Sequence, residues 1–357
     1  MKTTPLLCSL LLLCWLCTDC YAQLWPDLSE LRQQQGLIND AAPPFDNMLD
    51  VENSQITLRA NYRQQHFAAS NAEWIKWIPQ SAFLQFNQLI GIGEKENTRL
   101  LWGTTFLEHN TAPLQSTSLK SRLAVLRKLG SRTWASVGLS GHLQNHRIQM
   151  DQLILNHGID PLIESLYAAD PNHWLMDMGA GFFFQHRFKS QIRLFKKGKL
   201  SSDHWGDTVY GGFSIPGVQN FLQQKDIPHA LLNYRRQSRQ CYLMCGWIST
   251  IDKDDFLDLS LRYRISQAPY DDQWHIGLRR YFGVFGWHKA HQPGFWIGGG
   301  LNGLRSEEGT EGLYPHLDGG VSWKNCRLGM GGQFFWFQNF QQVLPAFEFN
   351  FSLHFNG

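Results

Sequence analysis

The sequence is short of apolar runs, of cysteine and of charge imbalance, and each shortage excludes a class of protein. Beyond residue 22 no stretch approaches the roughly 18 apolar residues of a membrane-crossing helix, and the mean hydropathy is −0.31. A helical membrane protein is therefore excluded. Lys plus Arg number 32 against 30 Asp plus Glu, a net charge of +2. That balance gives no electrostatic case for nucleic acid. Of seven Cys, Cys8, Cys14, Cys17 and Cys20 fall in the first 22 residues. Cys241, Cys245 and Cys326 remain, an odd set that is no disulfide scaffold. On an extended strand Cys241 and Cys245 stand about 13 Å apart, beyond the roughly 7 Å that a bridge spans. The 14 His include neither an H-E-x-x-H pair nor a companion paired-Cys motif. His142 and His146 are separated like the cysteines, too far to share one ion. No metal and no cofactor is expected.

What is present begins with a targeting segment. Lys2 gives a positive start, residues 6–16 are apolar, and Cys20-Tyr21-Ala22 ends in a small-x-small pattern. Residues 1–22 read as a signal peptide cut between Ala22 and Gln23. Asp19 before Cys20 argues against a lipoprotein site. Residues 23–53 show no alternation and carry Ala41-Ala42-Pro43-Pro44, a linker signal. They read as a periplasmic lead-in or plug at the barrel mouth, with a short helix near residues 27–35.

From residue 54 the period is two. Ile56, Leu58, Ala60 and Tyr62 alternate with Gln55, Thr57, Arg59, Asn61 and Arg63. Val137, Leu139 and Leu143 alternate with Ser136, Ser140 and His142. Leu257, Leu259, Leu261 and Tyr263 alternate with Asp258, Ser260, Arg262 and Arg264. The last such run is the plainest: Phe347, Phe349, Phe351, Leu353 and Phe355 alternate with Glu348, Asn350, Ser352 and His354. A strand sends alternate side chains to opposite faces. A soluble sandwich accommodates one such strand; many of them, behind a signal and without membrane helices, point to a closed outer-membrane barrel. The 14 Trp and 24 Phe suit its aromatic girdles.

The expected fold is all-β: residues 54–357 as one transmembrane antiparallel β-barrel of about 14 strands, range 12–16. Less regular strands are expected near 82–90, 100–107, 116–126, 177–195, 207–214, 229–249, 274–281, 294–300, 317–323 and 327–337. Residues 127–132 read as a short turn and 145–174 as a long loop with a helix at 162–168. An even strand number puts both termini in the periplasm. Phe347, Phe349, Phe351, Leu353 and Phe355 are expected to face lipid, with Phe355 as the assembly signal.

Signals of chemistry are thin. Gly298-Gly299-Gly300-Leu301-Asn302-Gly303 fits G-x-G-x-x-G but lacks the helix a dinucleotide loop needs. Leu304, Arg305, Ser306, Glu307, Glu308 and Gly309 after it read as loop. Ser140 and His142 share a strand face about 7 Å apart, yet that face points inward, and no G-x-S-x-G elbow occurs. No enzyme is expected. Lys189, Arg193, Lys196, Lys197 and Lys199 form a basic run suited to lipopolysaccharide head groups at the outer rim, or to a solvated loop.

Several motifs resemble one family, the PorP/SprF outer-membrane proteins of the type IX secretion system of Bacteroidota. Asn61-Tyr62-Arg63-Gln64-Gln65-His66 resembles its Tyr-Arg-x-Gln-Trp strand end, with His66 for Trp. Ala112-Pro113-Leu114-Gln115-Ser116-Thr117 resembles its Gly-Pro-Leu lead into a strand. Ser136-Val137-Gly138-Leu139-Ser140-Gly141 and Asp177-Met178-Gly179-Ala180-Gly181-Phe182 resemble two of its glycine-bearing strands. Tyr210-Gly211-Gly212-Phe213-Ser214-Ile215-Pro216 and Pro345-Ala346-Phe347-Glu348 resemble two more. The family's Asn-Pro-Ala is replaced by Asn47-Met48-Leu49. The resemblance implies a non-enzymatic role in exporting or attaching cargo with a C-terminal sorting domain, gliding adhesins among it. It also implies contact with the periplasmic ring components. A porin or hydrophobic-solute channel is the alternative reading, and an outer-membrane lipid enzyme a distant third.

Overall fold

The computed structural model describes residues 35–44, 54–65, 80–92, 97–111, 114–148, 172–188, 207–218, 240–252, 255–266, 272–283, 293–305, 311–323, 325–336 and 343–356. The signal segment with Ala22 and Gln23, Pro113, the helix expected at 27–35 except Gln35, the helix expected at 162–168, and the basic run at 189–199 lie outside them.

After a single helical turn, α1 (Gln35–Ile38), the described chain is strand: β1 Gln55–Gln65, β2 Gln80–Ile92, β3 Thr98–Thr111, β4 Leu114–Gly130, β5 Thr133–Ile148, β6 Asn172–Arg187, β7 Thr208–Ile215, β8 Gln240–Asp252, β9 Asp255–Ser266, β10 Asp272–Phe282, β11 Gly294–Arg305, β12 Glu311–Trp323, β13 Cys326–Trp336 and β14 Val343–Asn356. Each pairs antiparallel with its chain neighbours, and β1 pairs with β14, so the sheet closes into a 14-stranded barrel. Closure removes the open edges that a lipid environment does not tolerate.

The barrel is apolar outside and polar inside. Leu119, Leu123 and Val125 of β4, and Val137 and Leu139 of β5, are 45–65% exposed, whereas Lys120, Arg122, Ser136, Ser140 and His142 between them are buried. A soluble sandwich buries the opposite set. A contiguous apolar outer surface of this size is what lipid covers.

Several strands outrun the sequence pattern. β5 continues through Asn145–Ile148, and β6 starts at Asn172 rather than near 177 and stops at Arg187 rather than 195. β8 covers Gln240–Asp252, and residues 229–239 of the strand expected there lie outside the described residues. β4 runs to Gly130, which narrows the expected turn to Ser131 and Arg132. At about 3.3 Å per residue the 17 residues of β4 are roughly 56 Å long. That exceeds the apolar band of a barrel, about 25 Å tall, even after tilt. Beyond the band no face needs to be apolar, so strand ends such as Asn145-His146-Arg147 read as loop. Likewise Leu304 and Arg305 belong to β11 and not to the loop after it.

The interior is not uniformly polar, although the alternation implied a wet lumen. Towards the rim where β1 begins and β14 ends, two apolar clusters sit among inward polar groups such as Gln55, Thr57, Arg99, Thr250 and His354. Leu89, Leu101, Ala124, Leu126 and Trp134 form one cluster. Phe183, Tyr210, Met244, Ile248, Phe256, Tyr281 and Trp296 belong to another. Charged inward groups are buried along the rest of the wall, Arg63, Arg122, Arg262, Asp258, His316 and Glu348 among them.

Candidate functional site

Residues 35–44 lie inside the barrel, and Asn39, Asp40, Ala41 and Ala42 are all 0% exposed. The local sequence explains their compact shape. The amide of Asn39 bonds the carbonyl of Gln35 at 2.8 Å, closing α1. The Asn39 side chain then accepts from the Ala41 amide at 3.0 Å, and the Ala42 amide donates to the Asn39 carbonyl at 3.1 Å. Asn favours this local turn because its short side chain mimics a backbone carbonyl.

One helical turn leaves its C-terminal carbonyls without partners in the helix. In a buried lumen they need donors, and the wall supplies them. Lys120 Nζ donates to Leu37 O at 2.8 Å. Arg122 Nη1 donates to Asn39 O at 3.3 Å and to Ala42 O at 2.7 Å. Ser214 Oγ donates to Ile38 O. Arg122 is itself held by Asn87, whose side-chain oxygen accepts from Nη2 at 2.7 Å. Cations near a helix C-terminus also match its dipole.

The centre of the contact is Asp40. Its Oδ1 lies 2.6 Å from Lys120 Nζ, with both side chains at most 3% exposed. Its Oδ2 accepts from Ser140 Oγ at 2.8 Å. In addition, Asn39 Nδ2 donates to the Phe182 carbonyl at 3.1 Å. Leu37 packs with the inward Phe83 and Leu107, and Ala41 and Ala42 join the apolar cluster of Phe183, Tyr210 and Met244.

Glycine makes the room. A Cβ on Gly138 would stand 2.5 Å from Asp40 O and 2.7 Å from Ala41 N. One on Gly179 would strike Asp40 Oδ2, one on Gly181 would strike Asn39 Oδ1, and one on Gly212 would lie 2.5 Å from Asn39 Nδ2. Register brings these together: Gly138 pairs with Gly181, Ser140 with Gly179, and Gly181 with Ser214. The carbonyl of Pro216 would lie 3.0 Å from a Cβ on Gly179. Thus Gly138, Ser140, Gly179, Gly181, Tyr210, Ser214 and Pro216, singled out on separate stretches of sequence, meet on one wall. Beside it lies a cavity of about 20 Å³, room for about one water, lined by Gln35, Ile38, Tyr210, Ser260, Arg262 and His275 among others.

A second group meets at the barrel seam. Arg63 pairs with Glu348 and Asn61 with Asn350 across β1 and β14. Arg63 Nη2 donates to Gln333 Oε1 at 2.7 Å, and Asn61 Nδ2 to Glu348 Oε1 at 2.6 Å. Tyr62 is on the outer face, Gln65 pairs with Ala346, and Pro345 pairs with Phe334. The seam thus joins the motifs at 61–66 and 345–348. Leu114 opens β4 opposite Thr111 and Ile148, apart from both groups. Phe347, Phe349, Phe351 and Phe355 are 38–51% exposed on the outer face, and Leu353 shares it, half-buried.

Two other sequence signals resolve differently. The Gly298–Gly303 motif lies within β11, with no helix after it among the described residues. Its Gly298 lies against the Arg279 side chain and its Gly300 against His316. Ser140 and His142 both face inward, and Ser140 is committed to Asp40. Sequence reasoning missed Asn39, Asp40, Lys120 and Arg122. The inward pair Lys120 and Arg122, two apart on β4, was the available signal, since two buried cations require an anionic or carbonyl-rich partner.

Residues 49–352 match the family described as type IX secretion system membrane protein PorP/SprF. The chain belongs to the PorP/SprF family. Together with the closed barrel, this makes it an outer-membrane β-barrel of the type IX secretion system. Among solved structures it is similar to the monoaromatic hydrocarbon channel CymD, at 10% identity over 91% of this chain and 97% of that one, with a TM-score of 0.53. That likeness is one of fold. The toluene transporter TodX of Pseudomonas putida also matches, at 8% identity over 95% and 99%, but its TM-score of 0.45 is too low to add to this. No individually curated protein matches the sequence.

Proposed function

We propose that this PorP/SprF barrel is a plugged, non-enzymatic export component that couples cargo carrying a C-terminal sorting domain to the type IX machinery, and is not a diffusion porin. The observation that carries the reading is the lumenal segment 35–44, held by Lys120, Arg122, Ser140 and Ser214 against a buried apolar cluster. A general porin needs an open polar passage. The periplasmic ring components and cargo are the partners this role requires.

Both termini are assigned to the periplasm. β1 begins and β14 ends at the rim that also carries three two-residue connections, 131–132, 253–254 and 324–325, beside longer ones at 188–207 and 283–293. The opposite rim carries the two longest connections, 149–171 and 216–239, with 66–79 and the two-residue 112–113. Short turns are a periplasmic feature and long loops an extracellular one. Lipopolysaccharide head groups remain a proposed partner of the basic run Lys189–Lys199, which lies outside the described residues.

Proteoliposome swelling tests the reading. The purified chain should pass no sugars or small aromatic solutes, and a secreted protein ending in a sorting domain should copurify with it. Sugar flux without any such partner would return the diffusion-channel reading.

A further inference from the structure

Residues 35–44 are bound the way a ligand is bound. Among the described residues they form no strand ladder with the wall; every polar contact to it runs through a side chain. Wall side chains read four backbone carbonyls, which any peptide carries, and one carboxylate, and the Asn39 side chain reaches the Phe182 carbonyl and the Met244 sulfur. The space is cleared on the wall, by Gly138, Gly179, Gly181 and Gly212. Departure of the segment would leave Lys120 buried without its carboxylate and Arg122 without the carbonyls it binds, which is costly unless another chain replaces them.

We propose that Lys120 and Ser140 form a carboxylate-binding seat beside the carbonyl-binding Arg122, that Asp40 is its resident ligand, and that an acidic chain segment supplied in trans can take its place and release residues 35–44 from the lumen. The proposal goes beyond the export role and does not depend on it. It concerns which chemistry the lumen recognises, whatever protein delivers that chemistry.

The test uses the full chain in lipid bilayers carrying Ala42→Cys. Ala42 is 0% exposed, so a water-soluble maleimide should modify the introduced thiol slowly, as read by mass spectrometry of that segment. A ten-residue peptide with the sequence of residues 35–44 is then added in excess, beside the same peptide carrying Asp40→Asn. The acidic peptide should speed labelling in a saturable way by about tenfold or more, because labelling follows local opening. The Asn peptide should need a concentration at least about tenfold higher. Lys120→Gln in the barrel should abolish the preference between the peptides, which an unrelated loosening of the fold would not do. Equal action of the two peptides, or no effect of either, would overturn the seat. Fast labelling before any peptide is added would overturn the latch.

Discussion

The carbonyl oxygen of Asp40 lies 2.5 Å from where a Cβ on Gly138 would stand. Gly138 is therefore a docking surface for the lumenal segment. Gly141, on the same strand, has nothing within 4 Å of its Cβ position. Gly138→Val should expel or loosen residues 35–44 while the barrel still assembles, and Gly141→Val should do neither. Overpacking of this kind costs about 1–3 kcal/mol, so amide exchange of residues 39–42 should accelerate by about 5–150-fold. Equal exchange in the two variants would remove the segment from that wall.

Arg279 and Asp318 form a close buried ion pair, with Nε 2.6 Å from Oδ2 on side chains 6% and 0% exposed. Breaking one partner of such a pair costs about 3–5 kcal/mol, whereas replacing both with apolar groups is often neutral. Urea unfolding of the refolded barrel should show Arg279→Leu as strongly destabilised. Arg279→Leu combined with Asp318→Leu should recover most of the loss. A double variant as weak as the single one would mean that the pair matters through Arg279's other contacts.

The outer face makes a prediction that separates burial from recognition. Leu139 is 65% exposed in the middle of β5. Leu139→Arg should cost about 2–4 kcal/mol in a bilayer, as for cations near the midplane of other barrels. Phe355 sits close to the end of β14, where an acidic substitution costs about 0–1 kcal/mol. We propose that it is read during assembly. Phe355→Asp should then be nearly wild-type in stability after refolding in vitro, yet absent from the outer membrane of cells. Normal membrane levels would end its role as an assembly signal.

Much of the scaffold was legible because lipid and lumen impose opposite demands on alternate residues. In β14 that demand holds from Phe347 to Phe355, and the strand is plain; in β9 Asp258, Arg262 and Arg264 mark the inner face. The pattern fails where the lumen turns apolar. Phe182, Phe183 and Phe184 run together, although only Phe183 points into the barrel core, so no period distinguishes them. It fails again at strand ends outside the lipid band. The motif glycines were visible as positions, but their purpose was not. Gly138, Gly179 and Gly181 are explained by Asn39 and Asp40, about 100 residues or more away in sequence. Nothing in the local pattern of residues 35–44 shows that a barrel wall will hold them. The seam likewise needed the fold, since Arg63 and Glu348 become neighbours only when the sheet closes.

Cargo coupling is the central claim, and the surface proteome of cells lacking this chain tests it most directly. The account predicts that one or a few proteins with a C-terminal sorting domain disappear from the cell surface and medium. The remaining outer-membrane proteins and the uptake of small solutes should be unchanged. A surface proteome identical to the wild type, with small-solute uptake impaired, would contradict it.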